Sequence, residues 1–268
     1  VSDRVMDSGE RLPPDAAERT ETPRAVTTGT LYGVGMGPGE PDYLTVRAMR
    51  VLERAPVLVH FCKKGRRGNA RTIADAVLAA EPGRECPLVY PYTTELHPEH
   101  PDYVAALAAF YDDAAGRLAD HLGAGRDVAI LSEGDPFFYG SFMHLWRRLK
   151  DRFPVEVVPG VTGMSGCWTR AGTPITWGDD VLTVLPATLS HAALVERLRA
   201  TDAAVLMKLG RHLPKVRAAL AEAGVLERAV YVERGTMAGE RVIALKDKPD
   251  DDAPYFSMVL LPGEGRRP

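Results

Sequence analysis

The sequence predicts an α/β protein made of two successive α/β units, the second ending in a mixed sheet. Three observations carry this. From residue 31 onward, short apolar runs closed by glycine or proline alternate with longer stretches of helical period. The first strand–helix–strand crossover is short, which implies neighbouring parallel strands. The last three apolar runs, near 229–233, 240–245 and 255–261, are joined by loops too short for a helix, which implies antiparallel pairing. The units are expected at 29–158 and 159–263.

Residues 1–28 are rich in Arg, Glu, Asp, Thr and Pro, show no apolar period, and are expected to form a loose tail outside the fold. Leu31-Tyr32-Gly33-Val34-Gly35 reads as a buried strand ending in glycines. Leu44, Ala48, Val51, Leu52 and Ala55 then share one helical face, and Pro56 stops the helix. Val57 to Phe61 is a second strand. A helix near 70–78, a strand at 87–90 and a long helix follow, the last with a stripe of Tyr103, Leu107, Phe110, Ala114, Leu118 and His121 stopped by Gly123 and Gly125. Asp127 to Leu131 is an apolar strand feeding the loop Ser132-Glu133-Gly134-Asp135-Pro136. A helix through Phe142, Leu145, Trp146 and Leu149 completes the first unit. After Phe153-Pro154 the pattern repeats, with a strand at 155–158, a glycine-rich turn and helix, a strand at 181–185, a helix at 191–199 and a strand at 203–207.

Composition excludes several classes of function. The chain has 268 residues, 45% apolar and 26% charged, so it is neither disordered nor fibrous. With 33 basic and 36 acidic side chains its net charge is −3, and nothing draws it as a whole to nucleic acid or an anionic membrane. The three cysteines form no C-x-x-C pair, which speaks against a disulfide scaffold and for a reducing cytoplasm. No apolar run approaches the roughly 20 residues of a membrane span. The polar N-terminus carries no apolar core of an export signal.

Three loops after strands attract attention. The glycines at 33, 35, 37 and 39 fail the dinucleotide fingerprint, because its last glycine would fall on Pro38 or Glu40, and Pro38 and Pro41 lack the N–H groups of a phosphate cradle. The cluster lets backbone approach something bulky, or forms a tight turn. Glu133-Gly134-Asp135-Pro136 stands where open α/β sheets bind ligands, although the same residues form turns and caps. Val158-Pro159-Gly160-Val161-Thr162-Gly163 reads equally as a ligand loop and as a strand end with Thr162 capping a helix. His97, His100 and Asp102 have metal-ligand chemistry, but Pro98 and Pro101 keep them off one helical face, and no metal is expected. Cys62 beside Lys63, Lys64, Arg66 and Arg67 could be a reactive thiolate, with no partner base identifiable. The basic cluster is either solvated surface or a grip on a carboxylate- or phosphate-rich ligand.

Residues 31–45 (Leu-Tyr-Gly-Val-Gly-Met-Gly-Pro-Gly-Glu-Pro-Asp-Tyr-Leu-Thr), 132–140 (Ser-Glu-Gly-Asp-Pro-Phe-Phe-Tyr-Gly) and 158–162 (Val-Pro-Gly-Val-Thr) resemble, in order and spacing, the three signature loops of the tetrapyrrole methyltransferases. Segments 65–70, 90–95, 137–143, 181–186, 207–211 and 231–236 are similar to the branch of that family acting on C20 of precorrin-2. The resemblance spans about 29 to 262. Glu40 stands where the family often has Asp, and Gly163 where Ser or Ala is usual.

The resemblance implies two α/β domains with S-adenosylmethionine in the cleft between them, usually in a homodimer. By motif, the cofactor would touch Pro38, the backbone of Glu133, Gly134 and Asp135, Phe138, Thr162, Gly163, Met207, Lys208, Gly235 and Thr236. The carboxylate-rich ring would meet Lys63, Lys64, Arg66, Arg67 and Arg71. Such a reaction needs in-line positioning and exclusion of water, with neither metal nor covalent intermediate. A base has only to collect the C20 proton, and the sequence singles none out. Other readings stay open at this point: a cobalt-factor II methyltransferase, a ribosomal-RNA methyltransferase of the same fold, and a non-catalytic tetrapyrrole binder.

Overall fold

The computed structural model describes residues 27–78, 81–91 and 101–265. The expected tail, apart from Thr27 and Thr28, and the His97 and His100 pair lie outside the described residues.

The first sheet contains β1 (Leu31–Gly35), β2 (Val57–Cys62), β3 (Glu85–Val89), β4 (Val128–Ser132) and β5 (Val155–Val158). All are parallel, in the order β3-β2-β4-β1-β5. The expectation that β1 and β2 are neighbours is therefore corrected: β4 lies between them. Its five residues are all buried, and the centre of a sheet is where a strand covered on both faces belongs.

Helices cover both faces. On one, α3 (Pro101–Gly123) and α4 (Phe142–Leu149) bury Leu118, Leu122, Phe142 and Leu145 against Val59, Leu88 and Ile130. On the other, α1 (Val46–Arg54) and α2 (Asn69–Ala74) bury Leu52 and Ile73 against Val34, Leu58 and Leu131. Thr45 caps α1 by accepting from the Ala48 amide at 3.1 Å, and the helix ends before Pro56 as its sequence requires. α2 is shorter than expected, because residues beyond Ala74 continue in turns rather than α-helix. The buried face of α3 is Tyr111, Ala114, Ala115, Leu118, Ala119 and Leu122, whereas Leu107 and Phe110 of the expected stripe only flank the core.

The second sheet contains β6 (Leu182–Pro186), β7 (Ala203–Met207), β8 (Val230–Glu233), β9 (Arg241–Ala244) and β10 (Ser257–Leu261), in the order β6-β7-β10-β8-β9. β6 and β7 are parallel; β8 pairs antiparallel with β9, and β10 with both β7 and β8. The sheet is mixed, as expected, with the last strand at its centre. α5 (Gly163–Arg170) covers one face through Cys167 against Val205, Val232 and Leu260. α6 (His191–Arg199) and α7 (Leu213–Glu222) cover the other. The sequence reading places no element between 207 and 229, yet α7 is there. It buries Leu213, Val216, Ala219 and Leu220, spaced as one helical face, behind a proline in its first turn.

Candidate active site

Every strand of the first sheet delivers its C-terminal end to one edge, and the loops leaving it carry most of the sequence motifs. The loop after β1 and the loop after β4 are stitched together backbone to backbone. Gly134 N–H donates to the Gly37 carbonyl at 2.8 Å and Gly37 N–H to the Gly134 carbonyl at 3.3 Å. The loop after β5 closes on both. Asp135 Oδ2 accepts from the Gly160 amide at 3.1 Å, and its Oδ1 from the Phe137 amide at 2.9 Å, so this carboxylate is a clamp between loops. The approach leaves no room for side chains at its centre. A Cβ on Gly160 would fall 2.1 Å from the Gly134 carbonyl oxygen, and one on Gly35 would fall 2.5 Å from Gly160 Cα. Gly134 itself has φ +64°.

Loops of the second sheet meet this cradle. Thr162 caps α5 by accepting from the Ser165 amide, which fixes the chain direction beyond Gly163. Pro38 packs on Gly166 of α5, where a Cβ would come within 2.6 Å of the proline ring. Thr236 Oγ1 accepts from the Glu40 amide at 3.3 Å, and its own amide donates to Glu240, which also pairs with Arg170 of α5 at 2.7 Å. Gly235 lies against Cys167. Lys208 places its ammonium 4.7 Å from the ring centroid of Tyr139 and so joins the β7 loop to the β4 loop.

Of the residues expected at a cofactor site, Pro38, Gly134, Asp135, Thr162, Gly163, Gly235, Thr236 and Lys208 are thus tied into one assembly of loops. Met207 ends β7, its carbonyl accepting from the Ala187 amide at 2.7 Å, and Phe138 follows the β4 loop beside Tyr139. The four described non-glycine residues with positive φ are Tyr139, Lys208, Arg234 and Thr236. All four lie on these loops, and unfavourable backbone concentrates where function over-determines it.

Glu133 points elsewhere. Its carboxyl group turns toward the start of α2, where the Asn69 side chain and the Ala70 amide donate to it. Withdrawal from solvent pushes it above the usual carboxylate range, and the two hydrogen bonds only temper the shift. Tyr255, from the segment before β10, carries an 81% exposed side chain. Tyr90 and Ser141 share a hydroxyl–hydroxyl hydrogen bond, and His144 stacks on Tyr111 with centroids 4.4 Å apart. Sequence reasoning missed Tyr255 and this ring cluster. Tyr90 and Ser141 lay within family-like segments, but Tyr255 carried no local signal.

The basic loop after β2 separates into two parts. Lys63, Arg66 and Arg67 are exposed around a shallow depression also lined by His60, Glu85 and Val89, and Lys64 is exposed but does not line it. Arg71 is corrected: it is 0% exposed, its guanidinium spent on Glu85 at 2.7 Å and Asp75 at 2.6 Å, and it cannot meet a ligand on the rim. Arg67 also pairs with Asp75, at 2.5 Å. Cys62 is buried and its thiol is pushed up by burial, which removes the reactive-thiolate reading. Among the described residues no group of three or more His, Cys, Asp or Glu is placed to hold a metal. No described helix is long and apolar enough to cross a membrane.

Known proteins resemble this chain in sequence and in fold. The chain is 55% identical to a precorrin-2 C(20)-methyltransferase of Sinorhizobium sp over 91% of its own length and 99% of the relative. It is 48% identical to the Mycobacterium bovis cobalamin biosynthesis protein CobIJ over 89% of its length, spanning 47% of that longer protein. Identity falls to 30% with a cobalt-precorrin-2 C(20)-methyltransferase of Salmonella typhimurium, over 87% of this chain and 96% of the relative. Its fold is shared with a uroporphyrin-III C-methyltransferase of Thermus thermophilus, solved in complex with S-adenosylhomocysteine. The TM-score there is 0.61 and the identity 24%, over 88% of this chain and 98% of the other. Residues 30–247 match the family described as Tetrapyrrole (Corrin/Porphyrin) Methylases, and the chain belongs to that family.

Proposed function

We propose that this chain transfers the methyl group of S-adenosylmethionine to C20 of precorrin-2, giving precorrin-3A on the route to cobalamin. The observation that carries the reading is the 55% identity, over 99% of its length, to a relative of that name. The far lower 30% identity to the cobalt-precorrin-2 relative favours the metal-free ring as substrate.

The cradle suits the methyl donor. Its core at Gly35, Gly134 and Gly160 is backbone packed on backbone, which holds the loops that would take the donor in fixed relation to one another. Pro38, Phe138 and Met207 offer apolar surface to an adenosyl group. When bound, S-adenosylmethionine supplies an already activated sulfonium methyl. The protein's contribution is placement: the cradle holds the donor, and Lys63, Lys64, Arg66 and Arg67 hold the carboxylate-bearing rim of the ring by charge-assisted contacts. A homodimer working in the cytoplasm belongs to the same reading.

Incubation with S-adenosylmethionine carrying a labelled methyl tests it. Metal-free precorrin-2 should acquire one label, at C20, and cobalt-factor II little or none. Label at another carbon, preference for the cobalt-bearing ring, or no transfer overturns the reading.

A further inference from the structure

We propose that Tyr139 and Lys208 form a clasp that holds the β4 loop and the β7 loop at the separation the methyl donor requires. This rests on the donor site proposed above, and it makes both side chains positioning residues, which act on the donor through the loops that carry them.

The contact is direct. The Lys208 ammonium lies 4.7 Å from the centroid of the Tyr139 ring, a cation–π pair between a loop of the first sheet and a loop of the second. Each partner adjoins a residue whose apolar surface suits the adenosyl group. Tyr139 follows Phe138, whose ring meets it edge to face with centroids 5.0 Å apart, and Lys208 follows Met207 at the end of β7. A change in the spacing of the pair therefore moves the two apolar surfaces relative to each other.

Backbone geometry supplies an independent argument. Tyr139 has φ +56° and Lys208 φ +59°, in the left-handed region where a Cβ is strained and glycine is not. Gly37, Gly134 and Gly210 meet the same demand in neighbouring loops without a side chain. Neither Tyr139 nor Lys208 serves the core, since the first is 46% exposed and the second is exposed as well, so burial does not account for a side chain at either position. The cation–π contact does account for both. Strain coincides with a contact between the two sheets again at Thr236, φ +68°, whose hydroxyl accepts from the Glu40 amide.

Both ends of the clasp are anchored, so it transmits a displacement rather than absorbing it. Before Tyr139, the Phe138 amide donates to the Asp135 carbonyl at 3.2 Å; after it, Gly140 is so close to Pro136 that a Cβ would fall 2.9 Å from the proline carbonyl oxygen. Lys208 stands between Met207, whose carbonyl accepts from the Ala187 amide, and Leu209, which is buried in the core of the second unit.

The test measures S-adenosylhomocysteine affinity by calorimetry, together with melting temperature. Tyr139→Leu keeps the strained backbone and removes the ring, and should weaken binding about three- to fivefold, as an exposed cation–π pair allows; Lys208→Met should do the same. The double variant should bind no more weakly than either single one, because each already removes the whole contact. Tyr139→Phe and Lys208→Arg, which preserve a ring and a cation, should stay within about twofold of wild type. In turnover, Tyr139→Leu should raise the S-adenosylmethionine KM by its loss of affinity while kcat and the precorrin-2 KM stay within about twofold of wild type. Tyr139→Gly separates the side chain from its backbone. Relieved of strain, it should melt no lower than wild type yet bind as weakly as Tyr139→Leu, whereas a merely structural role makes affinity and melting temperature fall together. Unchanged affinity in Tyr139→Leu, losses that multiply in the double variant, or a Tyr139→Gly that melts lower overturns the proposal. If Tyr139→Leu does not fold, unchanged affinity in Lys208→Met overturns it alone. A wild type that binds no S-adenosylhomocysteine overturns the donor site itself, a different result from a wild type and a Tyr139→Leu that bind it equally well.

Discussion

The loops after β1, β4 and β5 and the loop after β2 leave the same edge of one sheet, yet they are built in opposite ways. The first three form a cradle made of backbone, with glycines so close that added Cβ atoms would overlap main-chain atoms. The β2 loop presents long charged side chains into solvent above a network in which the buried Arg71 and His60 meet Glu85 and the exposed Asp75. A backbone site derives its selectivity from shape and is indifferent to ionic strength. A side-chain site derives it from charge, adapts easily, and is screened. A small uniform molecule and a large polyanionic ring call for these two solutions respectively.

The contrast is broken most directly at Gly160. Gly160→Ala would force its Cβ to 2.1 Å from the Gly134 carbonyl oxygen, and the strands on either side cannot give way cheaply. We expect a loss of about 3 kcal/mol in chemical denaturation and no detectable S-adenosylhomocysteine binding by calorimetry. Retained binding would mean that the cradle is not the donor site.

Next in size is Arg71, the buried member of the basic loop. Arg71→Ala strands Glu85 while Asp75 keeps Arg67, and should cost about 2 kcal/mol of stability, below the range for fully buried pairs because the Asp75 side chain is 39% exposed. An unchanged melting temperature would show that the network beneath the loop carries no load. Gly134→Val places a branched side chain where φ is +64°, so about 1–2 kcal/mol of strain is expected, with S-adenosylhomocysteine affinity reduced about tenfold in a folded variant. The smallest effect belongs to the exposed cations. Each is worth about 1 kcal/mol or less, so Lys63→Ala with Lys64→Ala should raise the precorrin-2 KM three- to tenfold, leave melting temperature and S-adenosylhomocysteine affinity unchanged, and be mimicked in wild type by added salt. Insensitivity of KM to both treatments would return this loop to ordinary solvated surface.

Much of the fold was legible because each unit announces itself locally. β4 is an apolar run between turn residues, α1 has a cap, a stripe and a terminating proline, and α6 has the bounds its period implied. α7 had an equally readable face in Leu213, Val216, Ala219 and Leu220, which the sequence reading did not pick out. The cradle was visible as glycine-bearing motifs. The basic loop was visible only as a charge run, in which Arg71 looks like its neighbours although its spacing from Asp75 is that of a helical ion pair.

Local sequence by itself determined where strands and helices form, which loops are glycine-rich, and the family to which those loops belong, because such properties depend on residues within a few positions of one another. Strand order, the burial of Arg71, and the meeting of Glu133 with Asn69 were decided by tertiary structure alone. β4 enters between β1 and β2 because the most apolar strand gains most from cover on both faces. Arg71 is drawn inward because Glu85, on a strand 14 residues away, supplies the carboxylate that makes burying a guanidinium tolerable. Glu133 comes beside Asn69, 64 residues before it, and no pattern along the chain records that proximity.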